Sequence, residues 1–326
     1  MKYKTLSKII LSASLLGCLA SQAEEAKLGT VEFERIELEG IGPDGDKKIS
    51  RRDPSDVIKV GDLYYVWYSR GPVKTGYNAT VWCATSKDGV KWTEIGEAVG
   101  KSKTEGAWDE ASVFTPNILV AEGKYWLFYT GISKNQKPKP DSKIGIAVSD
   151  SPNGPWERLS ENPVLSNSPN AEDFDSHLVD DACLLVRDGK YYFYYKGRQL
   201  GKSPSQTQMG LAVADKPGGP YVRHKDNPVF PGNHEVVVWP QGTGVGAMIG
   251  KVGPADKIRT MQYSEDGVNF KTTHKMEEEA FAGGTFRPEA FTDSKKGEVP
   301  TWGVEIGKGK KLLHIQRFNL KWKDVE

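Results

Sequence analysis

The chain has 326 residues, with 44 Lys and Arg against 43 Asp and Glu, for a formal net charge of +1. So even a balance provides no basic face for a nucleic-acid backbone or an anionic membrane surface. With 35 glycines and 19 prolines the composition suits a turn-rich β protein, and a length of this order fits one all-β domain.

The N-terminus reads as a separate object. Lys2, Lys4 and Lys8 form a basic start, Ile9 to Leu16 a short apolar run, and Ser21-Gln22-Ala23 a small-residue cleavage pattern before Glu24. This predicts a secretory signal peptide over 1–23, too short to span a membrane. The alternative is a lipobox, Leu15-Leu16-Gly17-Cys18, which would leave a lipid anchor on Cys18. Either way the domain over 24–326 is expected to be secreted, periplasmic or anchored outside the cytoplasm. Cys83 and Cys183 then remain, both inside apolar strand patterns, and are expected as buried free thiols. With no CxxC or HExxH spacing, neither a protein-built metal site nor a cofactor is expected.

From residue 31 onward, VEFERIEL (31–38) alternates apolar and polar residues as a strand does. It is a candidate to complete the last unit of a ring. A pattern then recurs about every 60 residues: an aromatic run, a polar turn, and a small-residue strand ending in a Gly-containing turn and an aromatic. The copies begin GDLYYVWYS (61–69), GKYWLFYTG (123–131) and GKYYFYYKG (189–197), and a weaker fourth ends IRTMQYSEDGVNF (258–270). Repeats of this length with several strands each predict a single five-bladed β-propeller. The blades fall at about 51–100, 110–165, 177–230, 234–278 and 281–323, with a loop over 134–143.

In a propeller the innermost strands start near a central funnel. Those starts read ISRRDPSDVIKV (49–60), SVFTPNILV (112–120), SHLVDDACLLV (176–186), NHEVVVWP (233–240) and GTFRPEAF (284–291). Converging acids suit glycoside hydrolysis, in which one carboxylate activates water, an acid protonates the leaving oxygen and a third group tunes the acid. Asp53, Asp181 and Glu235 form a candidate set, with His234, Asp180 and Asp56 as rivals. Asp56 lies three residues past Asp53 and so faces the opposite side of a regular strand. Asp180 and Asp181 are adjacent, so strand alternation lets only one of them point inward. Secondary candidates for substrate contact are Arg70, Thr115, Lys196 and Trp239, the last by stacking on a sugar ring or else as a packed core residue. Arg287 and Glu289 are a candidate ion pair.

RRDPSDVIKVGDLYYVWYSR, SVFTPNIL, the YYFYYKG run and above all NHEVVVWP resemble glycoside hydrolase family 117, which is similar in fold to family 43. The resemblance covers about residues 50–275. It implies inverting cleavage at the non-reducing end of agar-derived oligosaccharides with release of 3,6-anhydro-L-galactose. It implies Asp53 as general base, Asp181 as the tuning carboxylate, His234 as an unusual general acid, and Glu235 as a further catalytic carboxylate or the rival acid. Two departures stand out. Asp181 is followed by Ala182 and preceded by Asp180, where Asp-Pro and a His are expected. Residues 24–50 are also too few and too β-like for the helical segment through which family members can dimerise, so the oligomeric state stays open. The competing expectations are an arabinofuranosidase or xylosidase resembling family 43, and a carbohydrate-binding propeller without catalysis.

Overall fold

The computed structural model describes residues 27–72, 78–134, 142–250, 252–288, 297–308 and 312–324. The expected signal peptide with Cys18, most of the loop over 134–143, and Glu289 lie outside the described residues. The regular secondary structure among the described residues is almost entirely strand, as expected. In chain order, β1 (Gly29–Glu37) leads in. The first group is β2 (Ile49–Arg52), β3 (Ile58–Val60), β4 (Leu63–Pro72), β5 (Thr80–Ser86) and β6 (Trp92–Val99). The second is β7 (Ser112–Ala121), β8 (Lys124–Ile132), β9 (Ser142–Ser149) and β10 (Glu157–Arg158). The third is β11 (Leu178–Arg187), β12 (Lys190–Arg198), β13 (Gln208–Ala214) and β14 (Val222–Arg223). The fourth is β15 (Val237–Gln241), β16 (Gly244–Ile249), β17 (Thr260–Ser264) and β18 (Lys271–Met276). The last is β19 (Gly284–Thr285), β20 (Trp302–Lys308) and β21 (Leu313–Lys323).

The first three groups are separate antiparallel sheets. The fourth and last join in one eight-stranded sheet, ordered β15-β16-β17-β18-β1-β21-β20-β19. Among the described strands its two halves are joined by a short parallel pairing of β1 with β18, from Gly29↔His274 to Val31↔Met276, with an isolated bridge between Gly242 and Gly297. The lead-in strand pairs antiparallel with the C-terminal β21 from Thr30↔Lys323 to Glu37↔Gln316, so both ends of the folded chain lie in one sheet.

Burial grades across each group. Strands β7 and β11 each bury eight consecutive residues, whereas β10 is exposed. A first strand covered on both faces has no reason to alternate, so these strands read as continuous apolar runs. The aromatic runs form the packing between sheets. Phe128 meets Phe193 edge-on at 5.3 Å, and Phe193 meets Tyr221 at 5.1 Å.

The second and third groups repeat one another in detail. Trp108 stacks on Tyr129, and Phe174 lies against Tyr195. A Cβ on Gly131 or Gly145 would strike Trp108, and one on Gly197 or Gly210 would strike Phe174. Asp109 accepts from Tyr129 and Arg158, and Asp175 from Tyr195 and Arg223. Asn162 and Asn227 each bond both backbone groups of one strand residue, Ile146 and Leu211.

At the centre, the fully buried Asp56 accepts from the Thr285 amide at 2.7 Å and from Arg287 Nη1 at 2.9 Å. Arg287 also donates to the carbonyls of Val238 and Leu184, while the Asp56 amide donates to Asn117 Oδ1 at 3.4 Å. All five strand groups therefore meet at this pair. Burial pushes the Asp56 carboxyl pKa up, although Arg287 and the Thr285 donors pull against it. Removing one partner leaves a buried, uncompensated charge or dipole set. Arg287→Met should lower unfolding free energy by about 3–5 kcal/mol in a denaturant titration, and adding Asp56→Asn should restore part of the loss.

Candidate active site

The site is built on a backbone irregularity that occurs at the same position in three groups. Asp53, Thr115 and Asp181 all adopt left-handed φ, at 51°, 44° and 52°. In β7 and β11 the residue sits inside a register shift, between Phe114 and Asn117 and between Asp180 and Cys183. In the first group it follows β2 directly, and pairing resumes only at β3. Such φ values cost non-glycine residues about 1–3 kcal/mol and persist where the surroundings enforce them. The bulge resets the strand's alternation, and the three side chains turn into one central cavity.

That cavity, about 30 Å³, is lined by Asp53, Pro54, Thr115, Pro116, Asn117, Asp181, Ala182, Glu235, Val236, Ala282 and Gly283. Each strand group contributes to it. The ambiguity between Asp180 and Asp181 is settled by the bulge: Asp181 lines the cavity, while Asp180 reaches Lys196 Nζ at 3.2 Å. Simple strand parity would have allowed only one of the pair to act at this end. Asp56 faces away from the cavity, toward Arg287.

The fourth group delivers its residues from a loop. Asn233, at φ 76°, fixes this loop by bonds to Val252, Met248 and Gly250. His234 and Glu235 follow, with His234 Nδ1 2.8 Å from Glu235 Oε1. A second, more apolar cavity of about 180 Å³ opens beside them, between Val237 and Met248 on one side and Ala280 and Phe281 on the other.

The charges are unequal in their surroundings. Burial raises the Asp53 pKa, and Glu235 adds to the rise, while Arg52, 2.8 Å away, opposes it. Burial likewise lifts Asp181 well above the usual carboxylate range, with Asp180 and Glu235 adding and Lys196 opposing. Burial would raise Glu235 too, but the His234 hydrogen bond, Lys196 and Arg52 outweigh it and hold Glu235 below its ordinary value. Neighbouring acids pushed apart in this way are suited to different proton-transfer roles. Asp181, His234 and Glu235 also bring one donor atom each within 4.8 Å of one another, but the Lys196 ammonium is already the cation among these acids.

The secondary candidates divide. Thr115 lines the cavity, with its hydroxyl 2.6 Å from that of Thr130. Lys196 is at the site but is engaged by Asp180 and Asp181, so it offers no open cation to a substrate. Arg70 is away from the cavity, bonded to Glu94 and stacked over Trp82 at 3.9 Å. Trp239 is 1% exposed, donates to Gln241 and packs edge-on against Trp322. It is a core residue with no face for a sugar ring. Arg287 pairs with Asp56. The cysteines are buried and free, as expected. Sequence reasoning missed Arg52 and Asn233. For Arg52 a signal existed in its adjacency to Asp53; for Asn233 only the loop geometry shows the role.

Residues 48–183 match the model for glycosyl hydrolases family 43. Zg3597, a family 117 glycoside hydrolase produced by Zobellia galactanivorans, is 31% identical, with a TM-score of 0.80 over 89% of this chain and 90% of that one. A GH32 β-fructofuranosidase of Bombyx mori, BmSUC1, is 14% identical with a TM-score of 0.57 over 82% of this chain and 60% of that one, a likeness of fold. Among curated proteins, an Arabidopsis thaliana β-fructofuranosidase, the insoluble isoenzyme CWINV3, is 25% identical over 170 residues, 50% of this chain and 27% of that protein. The chain spans about a quarter of the length of the curated relatives it matches.

The buried Asp53 carboxylate costs stability when ionised, because its raised pKa makes the folded state hold a proton more tightly than the unfolded chain. That cost is absent well below the ordinary Asp pKa and grows as pH rises through the raised one. Asp53→Asn should therefore leave Tm at neutral pH unchanged or higher, by differential scanning calorimetry, while glycoside turnover falls at least 1000-fold. A variant that keeps near-full turnover would remove Asp53 from the chemistry.

Proposed function

The chain belongs to glycoside hydrolase family 117, and from that premise we propose that it is an exo-acting, inverting glycosidase of agar-type oligosaccharides that releases 3,6-anhydro-L-galactose or a related sugar. The observation that carries the reading is the convergence of Asp53, Asp181 and Glu235 on one cavity with His234 bonded to Glu235. In this reading Asp53 takes a proton from the attacking water, and its raised pKa strengthens it as a base. His234 protonates the leaving oxygen. The lowered pKa of Glu235 supports this assignment over the rival, since such a carboxyl is ionised near neutrality and holds no proton to give. As a carboxylate it instead holds the His234 ring through Nδ1. Asp181 tunes and orients the pair, and Thr115 contributes a hydroxyl to the cavity wall. The more apolar cavity beside His234 is on the side where a leaving group would depart.

The reading carries an architecture with it. The eight-stranded sheet counts as two blades, β15 to β18 and β19 to β21 with β1, because the ladder that joins them is a parallel pairing of three residues. With the other three sheets this gives a five-bladed β-propeller. It also carries export, by cleavage after residue 23 or with a lipid on Cys18.

Two measurements test the reading. Residues 24–326 should release 3,6-anhydro-L-galactose from neoagarobiose and longer agar oligosaccharides, with the inverted anomer seen first by proton NMR. Turnover of aryl arabinosides or xylosides alone would assign the enzyme to another substrate class, and a retained anomer would overturn the water-activating role of Asp53. His234→Ala should lose on the order of 100-fold or more on natural substrates and much less on glycosides with activated aryl leaving groups. Equal losses on both would return the acid role to Glu235.

A further inference from the structure

The three left-handed positions share a cross-strand neighbour. The residue before each one faces the second strand of its sheet: Arg52 opposite Ser69, Phe114 opposite Thr130, and Asp180 opposite Lys196. In two groups that neighbour is a small hydroxyl. Ser69 Oγ accepts from the Thr115 amide at 2.9 Å, and Thr130 meets the Thr115 hydroxyl. In the third group a lysine takes the place of the hydroxyl, buried to 6% exposure. Its ammonium contacts Asp181 Oδ2 and lies 3.2 Å from Asp180 Oδ1. Neither oxygen receives a hydrogen bond from another described group, so the ammonium is what offsets their burial.

We propose that Lys196 is a positioning residue of the site: its buried ammonium holds Asp181 in place and supplies the positive charge that offsets the crowding of Asp180, Asp181 and Glu235. The proposal rests on the glycosidase reading above. The repeat supplies its own control, because Ser69 and Thr130 show that the fold needs only a small hydroxyl at this point. The positive charge appears in the group where the residue before the left-handed position is itself an acid, Asp180. Burial disfavours the charged form of Lys196, yet Asp180, Asp181 and Glu235 outweigh it and hold its pKa well above the ordinary lysine value. The remaining charges near the ammonium are Asp53, which it also stabilises as a carboxylate, with Arg52 and His234 beside Asp53 and Glu235.

The test is a set of three variants read by two methods. Lys196→Met removes the cation, so the acids should hold their protons more tightly. The acid limb of kcat/KM should move up by about one pH unit, a roughly tenfold loss on that limb. Tm should also fall more steeply than in the wild type as pH rises from about 4 to 7, because acids with raised folded-state pKa values stabilise the fold only while protonated. Lys196→Arg should keep the wild-type limb. The double variant Asp180→Asn with Lys196→Met should recover part of both effects, since one of the uncompensated carboxylates is gone. A Lys196→Met protein with the wild-type limb and Tm slope would overturn the proposal, as would a Lys196→Arg protein shifted as far as Lys196→Met. The Tm arm needs no substrate. A failure of the glycosidase reading, seen as no turnover by the wild type, is thus distinguishable from a failure of the role given to Lys196.

Discussion

The Asp56–Arg287 pair is the constraint on which the rest of the structure depends. One carboxylate and one guanidinium collect an amide, a hydroxyl and two carbonyls from strands far apart in sequence. In a fold whose sheets meet largely through apolar faces, directional contacts fix how the sheets are rotated about their common centre. Hydrophobic packing is non-directional, whereas a paired, hydrogen-bonded charge tolerates little displacement. The pair follows Asp53 by three residues and so ties the position of the candidate base to strands of the other groups. The chemistry of the cavity is arranged directly above the part of the molecule with the least freedom to move.

Much of this was legible because repeats expose themselves. The aromatic runs at 63–69, 125–130 and 191–196 fall in β4, β8 and β12, and the alternating segment after residue 30 falls in β1. Four of the five strand starts singled out for chemistry line the cavity, and the last group reaches it through Ala282 and Gly283 just before its named start, because position within a repeat translates into position around a centre. Parity within a strand did not translate as well. Asp180 and Asp181 could not be ordered by alternation, since alternation stops at a bulge and nothing in Asp-Asp-Ala signals a left-handed residue. Trp239 follows His234 closely in sequence, but the chain enters β15 between them and the ring ends in the core. The Asp56–Arg287 pair spans most of the chain, and no local pattern announces it. The match of Gly131 and Gly145 to Trp108, and of Gly197 and Gly210 to Phe174, is equally silent until the strands are side by side.

The site concentrates charge in little space. Asp53, Asp181 and Glu235 share one narrow cavity, and Arg52, Lys196 and His234 are distributed so that each acid has a different partner. Uniform surroundings would give three similar carboxyls. Unequal ones separate their proton affinities, and that separation distinguishes a catalytic set from a cluster of acids. The left-handed residues that aim Asp53 and Asp181 are strained, and the rigid sheets behind them hold that strain in place.

The pairing of β1 with β21 has a consequence for how the molecule comes into being. Strand β1 must wait for β21, which is made long after it, so the sheet they share cannot be completed until both have been synthesised. The three central sheets, each drawn from one continuous stretch, are free to form early. The final sheet requires the two ends of the chain to find one another, a contact of the highest sequence separation and correspondingly slow. Until then the edge of β18 that β1 pairs with stands open, a row of unpaired backbone groups available to other chains.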